Sequence, residues 1–555
     1  MAANVSRTSQ LLRRRSSLAL LSALLLGAAG CGRDHVGEAG GQPTPSAITF
    51  DAPKPAAPAL SASAEPASAL ALGADAPELH VTSEENGPRL YALAAPTYIY
   101  ELPDQPKRLG YLRPGGSVRR AEKPVSITRK CKEGWFRVAP RGYVCAGVET
   151  TFDNRNALVI ALEKAPARGE PLPYKYARAR SSSTVYYAKL PTPREQAALE
   201  GEELAEHLSG ISRGNLLAVV GQPSPIPAFL EHGKLLPKPL NQGKALRSGG
   251  VHRGMANGRS SFAFVDVFDT PTRVFGLTTE LDLVALDRVK LVTATRIHGG
   301  EVEDLPAALP LRGVPRLLRD DKGRAVVDGQ KVFEAYNPVS LSQIGVDYLE
   351  ARGGGLLPPH GTVVFKKRTS WPGFLKDDEA KWIDVSIRDQ TLVAYVGKRA
   401  VYVTRVSTGA AGDADPETTS ATVQGFYKIQ SKHVTATMLG NRADANEYEL
   451  LDIPYVQYFH HSYALHAAFW HESFGQPFSH GCINLPPRDA AWLFEWTDVR
   501  VPADWHSAEG NGQGTMVFVH PLGCEDRRAS RSHRAASAPI ASALTSAPVA
   551  RPTGR

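Results

Sequence analysis

At 555 residues the chain is long enough for several domains. Its 42% hydrophobic and 22% charged content is that of ordinary globular protein. A net charge of +8 suits an anionic setting such as a cell wall or membrane surface, and is too small, without a nucleic-acid-binding motif, to argue for DNA or RNA as a partner.

The first stretch with a physical reading is "LLRRRSSLALLSALLLGAAGC". Arg13, Arg14 and Arg15 precede an apolar run from Leu18 to Leu26, followed by Ala28, Ala29, Gly30 and Cys31. As a helix that run is too short for a bilayer core of roughly 30 Å, so residues 1–31 are predicted to be an export signal. Small residues directly before a cysteine resemble the lipobox of bacterial lipoproteins. The resemblance implies lipidation at Cys31 and an extracytoplasmic protein held to a membrane by lipid, in the periplasm if the cell has two membranes.

Residues 32–85 are rich in Ala, Pro, Ser and Gly and cannot bury enough apolar surface to fold, which predicts a disordered linker. Residues 86–153 alternate apolar and polar positions in short runs broken by Gly and Pro, the signature of strands. Their "IYELP…GYLRPGGSV…GWFRV…GYV" style resembles bacterial SH3-like domains, small β-barrels. Cys131 and Cys145 lie close enough in sequence to close one disulfide in an oxidising compartment. Residues 154–370 read as an α+β region without a chemical motif, helical at "TPREQAALEGEELAEHLSG" and strand-like at "SSFAFVDVFDTPTRVFGLTTELDLVALDRVKLV". From Lys381 the texture is strongly β, and "PPRDAAWLFEW" turns helical, with Pro487 suited to a first helical turn. This sets a domain over residues 378–523, followed by a disordered basic tail over 524–555 in which the state of Cys524 is open.

Cys482, in "SHGCINLPPRD", is the cysteine that demands a reason. In an exported protein a free thiol is a packing residue, a metal ligand or a nucleophile, and a nucleophile needs an imidazole or positive field beside it. His433, His460, His461, His466, His471 and His480 all lie in the same region. A zinc site is disfavoured, because "WHESF" lacks the second histidine of HExxH and no CxxC pair exists. His460, His461 and His471 sit among aromatics and read as pocket wall or packed surface rather than as catalysts.

"LHAAFWHESFGQPFSHGCINL" places His466 thirteen residues before Ser479, and Ser-His-Gly-Cys follows with Asn484 two positions after the cysteine. This resembles the signature of the L,D-transpeptidase (YkuD-type) family, over about Lys381 to His520. Gly425, Phe426 and Ile429, and Lys432 with His433, fit the same pattern. The chain departs from it at Ala467, where glycine often follows the histidine, and at Thr422-Val423, where Thr-Pro is frequent. The resemblance implies a mainly β multidomain protein with a C-terminal β-sandwich and a short helix after the motif. It implies Cys482 as nucleophile, His466 as general base, and the Ala467 carbonyl as the group that orients the imidazole. Ser479 and His480 would shape the site, and the Gly481 and Cys482 N–H groups would stabilise the oxyanion. Asn484 would pin the turn or meet substrate, and Met438, Tyr455 and Phe459 are expected on the substrate channel. It implies peptidoglycan stem peptides as substrate, and neither a metal nor an organic cofactor. A hydrolase with the same nucleophile and an inactive wall-binding lipoprotein remain the alternatives, and the sequence leaves the oligomeric state open.

Overall fold

The computed structural model describes residues 87–521, apart from 182, 211–212, 243, 248 and 441–447. The signal with Cys31, the linker over 32–85 and the tail with Cys524 lie outside the described residues. Among the described residues no helix is long and apolar enough to cross a membrane.

The protein is mostly β, in several sheets. Its N-terminal unit is built from short alternating strands. Arg89–Ala92 and Thr97–Tyr100 bury every second side chain, and Leu90, Ala92 and Ile99 are fully inside. Arg89–Ala92 lies between Ser117–Arg119 and Thr150–Thr151 in a three-stranded sheet. Cys131 and Cys145 are joined in a disulfide with Cα atoms 5.7 Å apart, tying the loop before Trp135 to the strand Tyr143–Cys145.

The region after it divides in two. Residues 157–292 combine strands from Lys175–Ala179 to Val289–Val292 with the helices Ala157–Ala161, Pro193–Glu200, Glu203–Gly210 and Arg213–Val220. Pro193–Glu200 starts where a helix should. Thr192 caps it, Glu195 reaches back to the Thr192 N–H, and Pro193 occupies the first turn. Residues 307–365 instead form a separate seven-stranded antiparallel sheet. The α+β expectation for 154–370 thus covers a helix-bearing part and an all-β part, a division that strand texture alone does not mark.

The C-terminal region is a two-sheet sandwich. One sheet pairs Lys381–Ser386 antiparallel to Thr391–Val396 and parallel to Met516–His520. The other carries Ser431–Leu439, Glu449–His460, Tyr463–Ala467 and Ile483–Leu485. Ile383 and Leu392 from the first sheet meet Phe459, Leu465 and Ile483 from the second, and Leu493 and Phe494 of the helix Pro487–Trp496 close the cluster. Asp489 locks that helix in place. Its carboxylate accepts from Tyr402 Oη at 2.7 Å, from Thr404 and from the Gly299 N–H at 2.9 Å, and burial pushes its pKa up to about 6.

These units share hydrogen-bonded ladders and core. Arg108–Leu112 of the N-terminal unit pairs with Ser507–Glu509, with Gly110 opposite Ala508. Gly110 is required there, because a Cβ would stand 2.1 Å from the Ser507 carbonyl oxygen. On the other side Ser261 registers with Leu450, so one sheet runs from the helix-bearing part through the sandwich to the N-terminal unit. Leu90, Ile99, Leu112 and Val138 belong to the same apolar cluster as Ile383 and Leu485. The unit is a wall of the sandwich, fixed also by Trp505 Nε1 donating to the Ala139 carbonyl at 2.9 Å.

Candidate active site

The two strands that carry the motif are neighbours. Tyr463–Ala467 and Ile483–Leu485 run parallel, and His466 registers with Asn484. Side chains two apart on a strand share a face, so Asn484 and the residue two before it, Cys482, are presented on the side that His466 faces. All three line one cavity of about 1050 Å³.

His466 is buried, and its Nδ1 lies 3.0 Å from the carbonyl oxygen of Ala467. A carbonyl only accepts, so Nδ1 carries the proton and Nε2 of the neutral ring keeps its lone pair. Burial lowers the imidazole pKa to about 4, and the Ala467 bond works against that shift. Burial also pushes the Cys482 thiol up to about 11, while a backbone hydrogen bond from Ala464 acts the other way. Cys482 Sγ stands 3.6 Å from the Ser462 carbonyl oxygen and is the free thiol among the described residues. At neutral pH the resting pair is therefore thiol and imidazole, both uncharged.

The loop that bears the thiol is held by two hydroxyls. Ser479 Oγ donates to the Cys482 carbonyl and accepts from the Gly481 N–H at 3.1 Å. Thr422 Oγ1 donates to the Gly481 carbonyl at 2.7 Å and accepts from the Gly409 N–H at 2.8 Å. Gly481 has φ +122°, and a Cβ there would stand 2.8 Å from the Tyr463 ring. Gly481→Ala is expected to cost about 1–3 kcal/mol of stability through strain and to displace the thiol. Thermal melting together with alkylation of Cys482 by iodoacetamide measures both effects.

The expectation for Gly481 as an oxyanion donor needs correction, because its N–H is committed to Ser479 Oγ. Asn484 is buried and its side-chain amide meets His471 Nε2 at 2.9 Å. His471 Nδ1 accepts from the Ser473 N–H at 3.1 Å, so the neutral ring presents Nε2–H and the amide oxygen of Asn484 must face it. Asn484 therefore braces the segment between the motif histidine and the cysteine. His480 lies on the cavity rim beside Tyr448, with ring centroids 5.9 Å apart, and burial lowers its pKa.

Met438 lines the cavity, whereas Tyr455 and Phe459 do not. Both are fully buried on the opposite face of Glu449–His460, where Tyr455 packs on Phe494 and Phe459 on Tyr427. Tyr455 and Phe459, four positions apart, share the face opposite Asp452 and Tyr458, so the strand keeps its alternation although Tyr455 has φ +58°. The wall belongs instead to Asp452 and Tyr458 of the same strand and to Tyr448 just before it.

The remaining wall comes from outside the sandwich. Tyr111 of the N-terminal unit bonds His433 Nδ1 at 3.0 Å, and Ser431 Oγ meets the other ring nitrogen at 2.9 Å. Arg178 of the helix-bearing part donates to the Trp470 carbonyl at 3.2 Å. No short motif announces these residues. Among the described residues no group of three or more His, Cys, Asp or Glu side chains is placed to hold a metal ion.

Residues 380–519 match the model of the YkuD family, described as the L,D-transpeptidase catalytic domain. Among solved structures, an Enterococcus faecium L,D-transpeptidase mutant is similar at 21% identity, with 28% of this chain and 55% of that one covered and a TM-score of 0.21. An L,D-transpeptidase from Stackebrandtia nassauensis shows 29% identity over 27% of this chain and 60% of that one, with a TM-score of 0.19. One from Mycobacterium smegmatis shows 16% identity over 41% and 98%, with a TM-score of 0.20. The chain thus spans little more than half the length of the first of these and three fifths of the second. No curated protein matches. Motif, sandwich and family model converge on one statement: residues 380–519 of this chain are a YkuD-type L,D-transpeptidase catalytic domain.

Proposed function

We propose that the chain is an exported, lipid-anchored L,D-transpeptidase that acts on peptidoglycan stem peptides through a thioester on Cys482. The observation that carries the reading is the His466 ring, its Nδ1 committed to the Ala467 carbonyl and its Nε2 left basic, facing the same cavity as the only free thiol among the described residues.

In this reading His466 Nε2 takes the thiol proton as Cys482 Sγ attacks the amide carbonyl on the carboxyl side of the third stem residue. The Cys482 N–H faces the developing oxyanion, and each such donor is worth on the order of 10²–10³ in rate. The imidazolium then gives its proton to the leaving amine of the terminal D-residue. An incoming amine from a second stem loses a proton to His466, attacks the thioester and regenerates the thiol, leaving a 3→3 cross-link. Water in place of the amine gives a trimmed tripeptide. A cavity of about 1050 Å³ is at the upper limit of the ~300–1,000 Å³ usual for small-molecule sites, which favours room for donor and acceptor together. Cys31 supplies the lipid anchor in this reading, and the linker over 32–85 supplies reach to the wall.

Incubating the purified protein with tetrapeptide-bearing muropeptides and weighing the products by mass spectrometry tests the reading. Cross-linked dimers are expected. Tripeptides alone would assign the protein to the hydrolases, and unchanged substrate would favour the inactive wall-binding alternative.

A further inference from the structure

The arginines on the wall of the Cys482 cavity all come from outside the catalytic domain. Arg108, Arg113, Arg178 and Arg259 line the cavity, and all four lie outside residues 380–519, while no lysine lines it. Arg113 donates to the carbonyls of Pro114, Leu162 and Lys164 at 2.9–3.1 Å, and Arg108 lies over the Tyr98 ring at 3.6 Å.

Arg178 and Arg259 stand at the catalytic end. Lys175–Ala179 pairs antiparallel with Ser261–Asp269, with Arg178 opposite Ser261, and Arg259 lies in the turn just before that strand. The same Ser261 registers with Leu450 of the sandwich, so the sheet itself carries both arginines to the site. Arg178 is half-buried and anchored by its bond to the Trp470 carbonyl, and Trp470 lies 5.8 Å from the His466 ring, centroid to centroid. Burial lowers the pKa of His471 and of His480, and the positive charges of Arg178 at the first and Arg259 at the second act in the same direction. Among the described carboxylates of the wall, Asp452 accepts from Thr279 and Thr435, Glu509 lies in the field of Arg108, and Glu280 lies among Lys244, Lys238 and Glu449.

We propose that Arg178 and Arg259 form a carboxylate-binding subsite for the peptide donor, so that the helix-bearing part, not the catalytic domain, sets the substrate's charge requirement. The subsite rests on the peptide-substrate reading above. Two guanidinium groups on the wall of the cavity that holds the nucleophile match a peptide carboxylate in charge and in bonding geometry. Placed on a sheet continuous with the strand that follows the cavity, they hold the donor chain in register with Cys482.

The test compares a tetrapeptide donor having free carboxylates with two analogues, one amidated at the terminal carboxylate and one at the internal carboxylates. Kd is measured by calorimetry on Cys482→Ala and on Cys482→Ala/Arg178→Gln/Arg259→Gln, and kcat and KM on the proteins that keep the thiol. The acid is expected to bind about 10- to 100-fold more tightly than one of the amides, as charge-assisted hydrogen bonds allow, and the arginine changes should bring that ratio close to one. The amide that loses binding identifies the carboxylate. Arg178→Lys and Arg259→Lys, which keep charge and lose the fork, should restore only part of the ratio. An acid-to-amide ratio unaltered by the substitutions, or absent from the start, overturns the subsite while leaving the enzyme reading intact if products form. No products from any of the three peptides, with no binding to Cys482→Ala, overturns both.

Discussion

Cys482→Ala is expected to abolish both cross-linked and trimmed muropeptides, lowering turnover by on the order of 10⁴-fold or more. Loss of a covalent nucleophile removes the step that divides one difficult acyl transfer into two easier ones, and what survives is binding and oxyanion stabilisation. The thiol makes weak sulfur contacts, a long one to the Ser462 carbonyl and a backbone hydrogen bond from Ala464, so the protein should fold as before, with a melting temperature close to the parent's. A Cys482→Ala/His466→Gln double variant should be no slower than Cys482→Ala alone, because the two groups act as a unit. Product formation by Cys482→Ala within ten-fold of the parent would exclude the cysteine as nucleophile.

The second large effect is the one expected of His466→Gln, and its signature is the pH profile. In the parent, burial lowers His466 to about 4 and raises Cys482 to about 11, so the neutral pair is the working form between those values. kcat/KM should be flat from about pH 5 to pH 10, with an acid limb near 4 as His466 takes up a proton. An acid limb centred near 6.5 would refute this assignment. Without the imidazole only thiolate reacts, and at pH 7 a thiol of pKa about 11 is ionised to about one part in 10⁴. The variant should be slower by about that factor at pH 7 and recover ten-fold per pH unit as pH rises toward 11. A rate independent of pH would show that another group serves as base.

What the sequence discloses of this site follows from how far apart its parts are along the chain. His466 and Cys482 lie in one short stretch and on adjacent parallel strands, so their partnership is legible in spacing. Pro487 and the apolar positions after it likewise announce the helix Pro487–Trp496. Tyr455 and Phe459 mislead because an aromatic residue near the motif does not say which face of its strand meets the cavity and which meets the core. Arg178 meets Trp470 across 292 positions, and Tyr111 meets His433 across 322. No local pattern encodes such meetings, since strand pairing at that distance is decided by the packing of whole units. The sharing of one apolar cluster by Leu90 and Ile383 was hidden for the same reason, because each stretch read separately looks like a self-sufficient β unit.

The pairing of Gly110 with Ala508 has a consequence for how the molecule is made. Tyr111 and Ser507 meet in the folded chain although 396 positions separate them. A ribosome adding roughly 5–20 residues per second delivers the second of these some tens of seconds after the first. Throughout that interval the strand Arg108–Leu112 is an open template, with backbone donors and acceptors free to pair with a stranger. Its arginine and its central glycine discourage such a match. The ladder that completes the cavity wall thus closes late, and assembly of the catalytic cleft waits for almost the whole polypeptide.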